Sequence, residues 1–323
     1  MTMNTTATLV TKVLVLEDAS AHLGTLKAFY EEAGLIGIRP QNGDESTVLS
    51  ILESNVDLGG IMLYENFGNG MELARKIHRI RPELPIFLRR KSIPNLSGFS
   101  ESDASIFRCV YTLSDLQPLR ITLDHSIFQR VYPTQLVRGI SELTRTALES
   151  FFHGCKIELE TPYLVKDRII YGEVFTLISI DSNWCRGYMM LQTSEADTRT
   201  LLTHLYGAEQ PVSFRDINNL MGEATNMVWG SFKNRFASQA HSENSQMRIQ
   251  VPIVINHGRN YISFGSDDPQ LCFKYTLWDE NRPEIGTVTI HQRFVFNLGW
   301  SPEEFNEDHT VEAMVSSGEL ELF

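Results

Sequence analysis

Short apolar runs alternate with helical stretches through the first 125 residues, and this alternation limits what the chain can fold into. Residues 13–16 (Val-Leu-Val-Leu) form a continuous apolar run with β-branched members, the pattern of a strand buried on both faces. A helical pattern follows, with Leu23, Leu26, Ala28, Phe29 and Ala33 on one side and Gly34 placed as a C-cap. Ile36 and Ile38 mark a second strand, and Asp44 is placed to cap a helix bearing Val48, Leu49, Ile51 and Leu52. Residues 58–64 form a third apolar run, 71–80 a helix that stops before Pro82, 84–88 a fourth strand and 106–112 a fifth. Strands and helices at this spacing predict an α/β unit with a doubly wound parallel sheet over residues 10–125.

The first apolar run ends in Glu17-Asp18, and residues 70–77 read Gly-Met-Glu-Leu-Ala-Arg-Lys-Ile. On these residues, and on Leu84-Pro85-Ile86, the first half resembles the response-regulator receiver family, which implies a flavodoxin-like fold. The resemblance also implies an acidic pair that holds Mg²⁺ beside a phosphorylatable Asp, and this chain departs from that chemistry. Counting back from Gly70 puts the acceptor at Met62, and a looser alignment puts it at Glu65. Arg90 stands where a Ser or Thr is expected, and residues 110–113 offer no Lys to meet the spread negative charge of an acyl phosphate. The domain is therefore expected not to accept phosphate. Glu17 and Asp18 are read as a vestigial pair, two solvated acids rather than a metal site, and Glu65 as at most a fixed negative charge.

Pro133 marks a break, and a helical pattern runs from Gln135 to Phe152. Strand-like segments follow at 156–159 and 169–180, then a turn at Asp181-Ser182-Asn183 and a returning strand at 186–192. Ser194 and Asp197 have capping-box spacing at the start of a helix that ends at Gly207. The next helix, 216–232, is the informative one. On a wheel of about 100° per residue, Ile217, Leu220, Met221, Ala224, Met227, Val228, Ser231 and Phe232 share one face. Asn219, Glu223, Asn226 and Gly230 share the opposite face, and Glu223 and Asn226, three apart, emerge as neighbours. Gly222 and Gly230 each cost the helix about 1 kcal/mol against Ala, which suggests close approach by another element or by a partner.

By itself Glu-x-x-Asn reads as a solvated polar face. Helix, hairpin, helix, Gly-Glu-x-x-Asn-Met-x-x-Gly and then a strand opened by Pro252 are together similar in order to the CheX/CheC phosphatases. The segment 260–265 and the strand pair 271–278 and 287–296 fit the rest of that family's sheet. The resemblance covers residues 131–297 and implies an α+β CheX-like domain with an antiparallel sheet and long helices. With one such helix it is closer to the CheX type than to the duplicated CheC type. It implies that Glu223 and Asn226 act on the aspartyl phosphate of a partner response regulator. A carboxylate suits docking to the partner's Lys, and a side-chain amide can both donate to and accept from a positioned water. No cofactor of its own is then needed, because Mg²⁺ comes with the partner receiver. The resemblance also implies a homodimer formed through this domain.

The rest of the composition narrows the class. The net charge of −12 lacks the basic footprint of a nucleic-acid binder. No apolar run reaches the length of a membrane span, and residues 1–11 do not read as a secretory signal, so a cytoplasmic protein is expected. Cys109, Cys155, Cys185 and Cys272 form no metal or redox pair by spacing and are expected as reduced thiols. From 298 to 323 the chain is acidic but punctuated by apolar residues such as Trp300, Phe305 and Phe323, a tail that either packs at home or docks on a partner. Two functions of different class stay open: a phosphatase carried by Glu223 and Asn226, and a dimeric scaffold that binds signalling partners without turnover.

Overall fold

The computed structural model describes residues 6–17, 23–40, 44–54, 57–207, 212–237, 253–265 and 268–305. Asp18, the polar segment 238–247, Pro252 and the tail from 306 lie outside the described residues.

The first half is built from β1 (Thr11–Leu16), α1 (Leu23–Glu32), β2 (Leu35–Ile38), α2 (Glu45–Ser54), β3 (Leu58–Tyr64), α3 (Gly70–Ile80), β4 (Ile86–Arg89), α4 (Glu101–Ala104) and β5 (Phe107–Tyr111). The sheet is parallel with order β2-β1-β3-β4-β5, the flavodoxin-like order. The continuous apolar runs are explained by burial on both faces. Val13 and Val15 face one core with α1, and Leu14 and Leu16 face another with α2 and α3. A helix the sequence did not announce, α5 (Gln117–Ser126), packs Leu119 and Leu123 beside β5.

The second half comprises α6 (Thr134–Phe151), β6 (Cys155–Leu159), β7 (Tyr163–Val165), β8 (Val174–Asp181), β9 (Cys185–Thr193), α7 (Glu195–Tyr206), α8 (Phe214–Phe236), β10 (Val254–Asn256), β11 (Tyr261–Ser263), β12 (Gln270–Asp279) and β13 (Val288–Trp300). Its antiparallel sheet has order β6-β12-β13-β9-β8, with β7 also on β12. Alternation is strict. Leu271, Phe273, Tyr275 and Leu277 of β12 face the core shared with α6 and α8, whereas Cys272 and Lys274 point the other way. The strand expected over 169–180 begins only at Val174. Gly172 sits at φ +66°, where a Cβ would lie 2.2 Å from the Thr193 carbonyl oxygen, so the chain turns there. The last strand runs past its expected end at 296, and past the expected domain limit at 297, to Trp300, and Phe305 is buried against Trp184 and Phe236.

The two halves meet through buried polar contacts. Leu164 N donates to Val10 O at 2.8 Å and Lys166 N to Leu58 O at 3.3 Å, so β7 ties the two sheets together. Lys12 pairs with Asp57 at 2.6 Å and reaches Glu160 across the junction at 3.4 Å. Arg81 pairs with Asp167 at 2.6 Å, both buried. Burial alone would raise the Asp57 carboxyl, yet the Lys12 ammonium beside it leaves it below the ordinary value. Thr11, Lys12, Asp57, Leu58 and Arg81 all belong to the end of the parallel sheet where β1, β3 and β4 begin.

Candidate functional site

At the opposite end of the parallel sheet, where a receiver would carry phosphate, the strands stop at Leu16, Tyr64, Arg89 and Tyr111. Arg89 is aligned with Tyr64 on one side and Tyr111 on the other. Met62 lies within β3, buried and paired with Val15 and Phe87, so it is not at the strand end; the count from Gly70 lands two residues too deep. Glu65 follows the strand end. It accepts from Arg90 Nε at 2.9 Å and from the Lys91 backbone N–H at 2.6 Å, so its charge is neutralised within the chain.

Glu17 is not the solvated acid expected. It is 4% exposed and receives both arms of the Arg89 guanidinium, each at 2.6 Å. That guanidinium also lies 3.7 Å from the Tyr64 ring centroid. Burial explains the pairing, because a lone carboxylate there would be costly. Sequence reasoning singled out Arg90 and missed Arg89. The signal was available: a basic residue ending an otherwise apolar strand, in a chain with an acid at the end of β1. Among the described residues no group of three or more His, Cys, Asp and Glu side chains is placed to hold a metal.

The second candidate lies on α8. The helix starts at a capping box: Ser213 Oγ accepts from Asp216 N, and the Asp216 carboxylate accepts from Ser213 N at 2.8 Å. The Ser213 hydroxyl, donating to the Asp216 carboxylate at 2.7 Å, and then the Ser213 backbone N–H hold Asp216 below the ordinary carboxyl value. Lys233 and Arg235 in the last turn suit the negative end of the helix. Ile217, Met221, Ala224, Val228 and Phe232 are buried, as the wheel requires, while Leu220, Met227 and Ser231 are only half-buried. Thr225 and Arg235 are buried too, which the wheel did not anticipate. Thr225 donates to Met221 O at 2.7 Å, so Thr176 of β8 is left to donate to Thr225 at 2.5 Å. This pins α8 to the sheet at the turn that carries Glu223 and Asn226.

Glu223 and Asn226 are both exposed, on the face away from the core. Among the described residues neither side chain has a hydrogen-bond or ion-pair partner. Among the described residues a Cβ at Gly222 or Gly230 would meet nothing within 4 Å, so no described element requires either glycine. Asn226 and Gly230 also line an open cleft of about 550 Å³ between α8 and α6. The arrangement offers a carboxylate and an amide side by side, with no competing internal bond.

Residues 174–276, less than half of the chain, match the family model described as chemotaxis phosphatase CheX. The matched stretch includes Glu223 and Asn226. No curated protein matches the chain. Among solved structures, a CheC-like superfamily protein from Shewanella sp. PV-4 is similar over 51% of this chain and 99% of its own, with 20% identity and a TM-score of 0.34. The chemotaxis protein CheX from Vibrio vulnificus is similar over 50% and 100%, with 15% identity and a TM-score of 0.31. A response regulator from Thermotoga maritima is similar over 30% of this chain and 75% of its own, with 17% identity and a TM-score of 0.23. The family match and the two sheet topologies describe a receiver-like α/β half without the receiver's residues, followed by a CheX-like α+β half.

Proposed function

We propose that the second half hydrolyses the aspartyl phosphate of a partner response regulator in chemotaxis-type signalling. The observation that carries this reading is the pair Glu223 and Asn226, exposed side by side and unpartnered among the described residues, on a helix whose other face is packed and inside the matched stretch. Asn226 accepts from and donates to a water held in line with the partner's phosphorus. The water oxygen attacks phosphorus, the bond to the aspartyl oxygen breaks, and inorganic phosphate and a free carboxylate are released. Glu223 pairs with the Lys of the partner receiver and sets the register of docking. The partner's Mg²⁺ supplies charge neutralisation, so this chain needs no metal for the step. Because aspartyl phosphate is already activated, positioning is the main contribution. The active form is a homodimer through the second half. No helix among the described residues is long and apolar enough to cross a membrane.

The test is Asn226→Ala in the full chain, measured on phosphorylated regulators of the host. Its side chain fills no core space, so stability shifts by less than about 0.5 kcal/mol, while acceleration falls by about two powers of ten or more. Glu223→Ala mainly weakens binding. Full activity of Asn226→Ala removes it as the water-positioning group.

A second reading, a scaffold without turnover, draws support from the Arg89–Glu17 pair that fills the receiver pocket. Binding of a regulator without any acceleration by the unmodified chain would favour it.

A further inference from the structure

We infer that the cleft between α6 and α8 is a specificity groove that receives one uncharged apolar side chain of the partner receiver, next to its phosphorylated aspartate. The inference rests on the reading of Glu223 and Asn226 above. Asn226, Met227 and Gly230 form one wall of the cleft, and Leu143, Thr146 and Ser150 form the other. Part of its lining is apolar: Ala147 is buried, and Leu143 and Met227 of the two walls are half-buried against the core. Its one charged end is balanced internally, because Arg235 reaches Glu142 at 3.1 Å. A charged side chain entering there would find no unbalanced counter-charge, whereas an apolar one would leave water for Leu143 and Met227.

The partner is fixed by geometry. A receiver with its phosphoryl group at Asn226 covers the cleft, because Asn226 is part of the cleft wall. Protein contacts of ordinary size bury about 800 Å² per partner, far more than one residue's surroundings. Gly230 is the residue that keeps the wall low. It costs the helix about 1 kcal/mol against Ala, and no described residue lies within 4 Å of its Cβ position. Any larger residue there narrows the cleft.

Two plugs from opposite walls test this in the full-length chain: Gly230→Leu and Thr146→Trp, with Glu149→Trp as the control. Glu149 is exposed on α6 and does not line the cleft. The probes are the host's receivers, phosphorylated for turnover and loaded with beryllium fluoride for binding. Both plugs should raise KM and Kd roughly tenfold or more while kcat stays within about twofold, the signature of lost docking rather than lost chemistry. The control should change neither, and melting temperatures should match the unmodified chain. Turnover with unchanged KM and Kd in both plugs overturns the groove and leaves the phosphatase reading standing. Plug-sensitive binding without turnover supports the groove and sinks the phosphatase reading instead. If no receiver is bound or dephosphorylated, both fall. A plug that only changes the sedimentation of the chain alone assigns the cleft to a second copy and overturns the inference.

Discussion

The junction between the halves holds a charge that cannot be left alone. Asp167 and Arg81 are 0% and 3% exposed and 2.6 Å apart, one from each half. Breaking a buried pair by removing one partner costs about 3–5 kcal/mol, and the surroundings decide which deletion is worse. Arg81 has two further partners, Glu83 through Nε at 2.8 Å and the Leu52 carbonyl through Nη1 at 2.8 Å. Asp167→Asn therefore leaves a cation that is still compensated, and its cost should fall near 3 kcal/mol. Arg81→Ala removes the cation between Asp167 and Glu83, and at a pH high enough to ionise Asp167 its cost should fall near 5 kcal/mol. Burial already holds the Asp167 carboxyl up to about 7 despite Arg81 and Arg293, so loss of Arg81 pushes it higher. The cost of Arg81→Ala should then shrink as pH falls, because Asp167 takes up a proton. The assay is urea unfolding followed by circular dichroism and by tryptophan fluorescence. All four tryptophans, Trp184, Trp229, Trp278 and Trp300, lie in the second half, so fluorescence reports that half alone. The two signals should coincide in the unmodified chain. As a control, Lys27→Ala breaks the exposed pair with Glu31 and should cost less than about 1 kcal/mol. A cost for Arg81→Ala no greater than that of Lys27→Ala, or a first-half transition silent in fluorescence, would refute a permanent junction.

Other outcomes are equally direct. Acetyl phosphate with Mg²⁺ should add no phosphoryl group to residues 10–125, since Glu17 is held by Arg89 and Glu65 by Arg90; a stoichiometric mass gain mapped there refutes it. Sedimentation at micromolar concentration should show twice the 36.8 kDa chain mass, and a clean monomer removes the dimer. Acid should destabilise the junction through His291, which burial and then Arg293 lower from 6.5 to about 3. Lys274, Lys12 and Asp57 also face His291, Tyr163 shares a hydrogen bond with it, and the Tyr171 ring packs against it at a tilt of 55°. The unfolded chain protonates this ring below about 6.5 while the folded chain does not, so its share of stability is present above that pH. That share is lost toward pH 3 at up to about 1.4 kcal/mol per unit. His291→Gln should flatten this slope in urea titrations at pH 7, 6 and 5; an unchanged slope assigns the loss to the carboxylates.

Much of this was legible in the sequence for a simple reason: burial on both faces forces apolar runs, and burial on one face forces a wheel. The runs at 13–16 and 58–64, and Ile217, Met221, Ala224, Val228 and Phe232 on α8, follow from those rules. Local rules also gave Ser194 and Gly207 as the ends of α7, where the structure places them. What failed was non-local. The three-residue strand Tyr163–Val165 is made by pairing with β12, not by its own pattern. The Glu17–Arg89 pair joins residues 72 apart in sequence, and no window reports such a contact. The buried Arg293 and His291 sit on the face of the antiparallel sheet turned from its helices, where strand periodicity alone predicts solvent, and Asp167 is buried in the segment just after β7. The Glu-x-x-Asn spacing placed two side chains as neighbours, but only the packed helix shows that nothing in the described chain competes for them.

The positions of these groups constrain how the first half can take part in function. Its junction residues Thr11, Lys12 and Leu58 lie where strands begin, and Arg89 and Tyr64 lie where strands end, about 17 Å away along β1 at roughly 3.3 Å per residue. A receiver that switches needs a vacancy at the strand ends for phosphate and metal to fill. Here Arg89 already supplies the cation and Glu17 the anion, and the two neutralise each other in a buried site. A ligand can shift an equilibrium only by the difference in its affinity for two states, and with Glu17 and Glu65 both paired to arginines no shift by phosphate is expected. The first half is then best understood as a fixed part, held at one end by its own ion pair and at the other by Arg81 and Asp167. Any regulation must enter where side chains are still uncommitted, and on α8 Glu223 and Asn226 are two such groups inside the matched stretch. Arg89→Ala gives this argument its sharpest test. It should lower stability by removing the cation that the buried Glu17 pairs with, yet leave the affinity for a phosphorylated regulator at α8 unchanged, and a coupled loss of that affinity would show that the first half still speaks to the second.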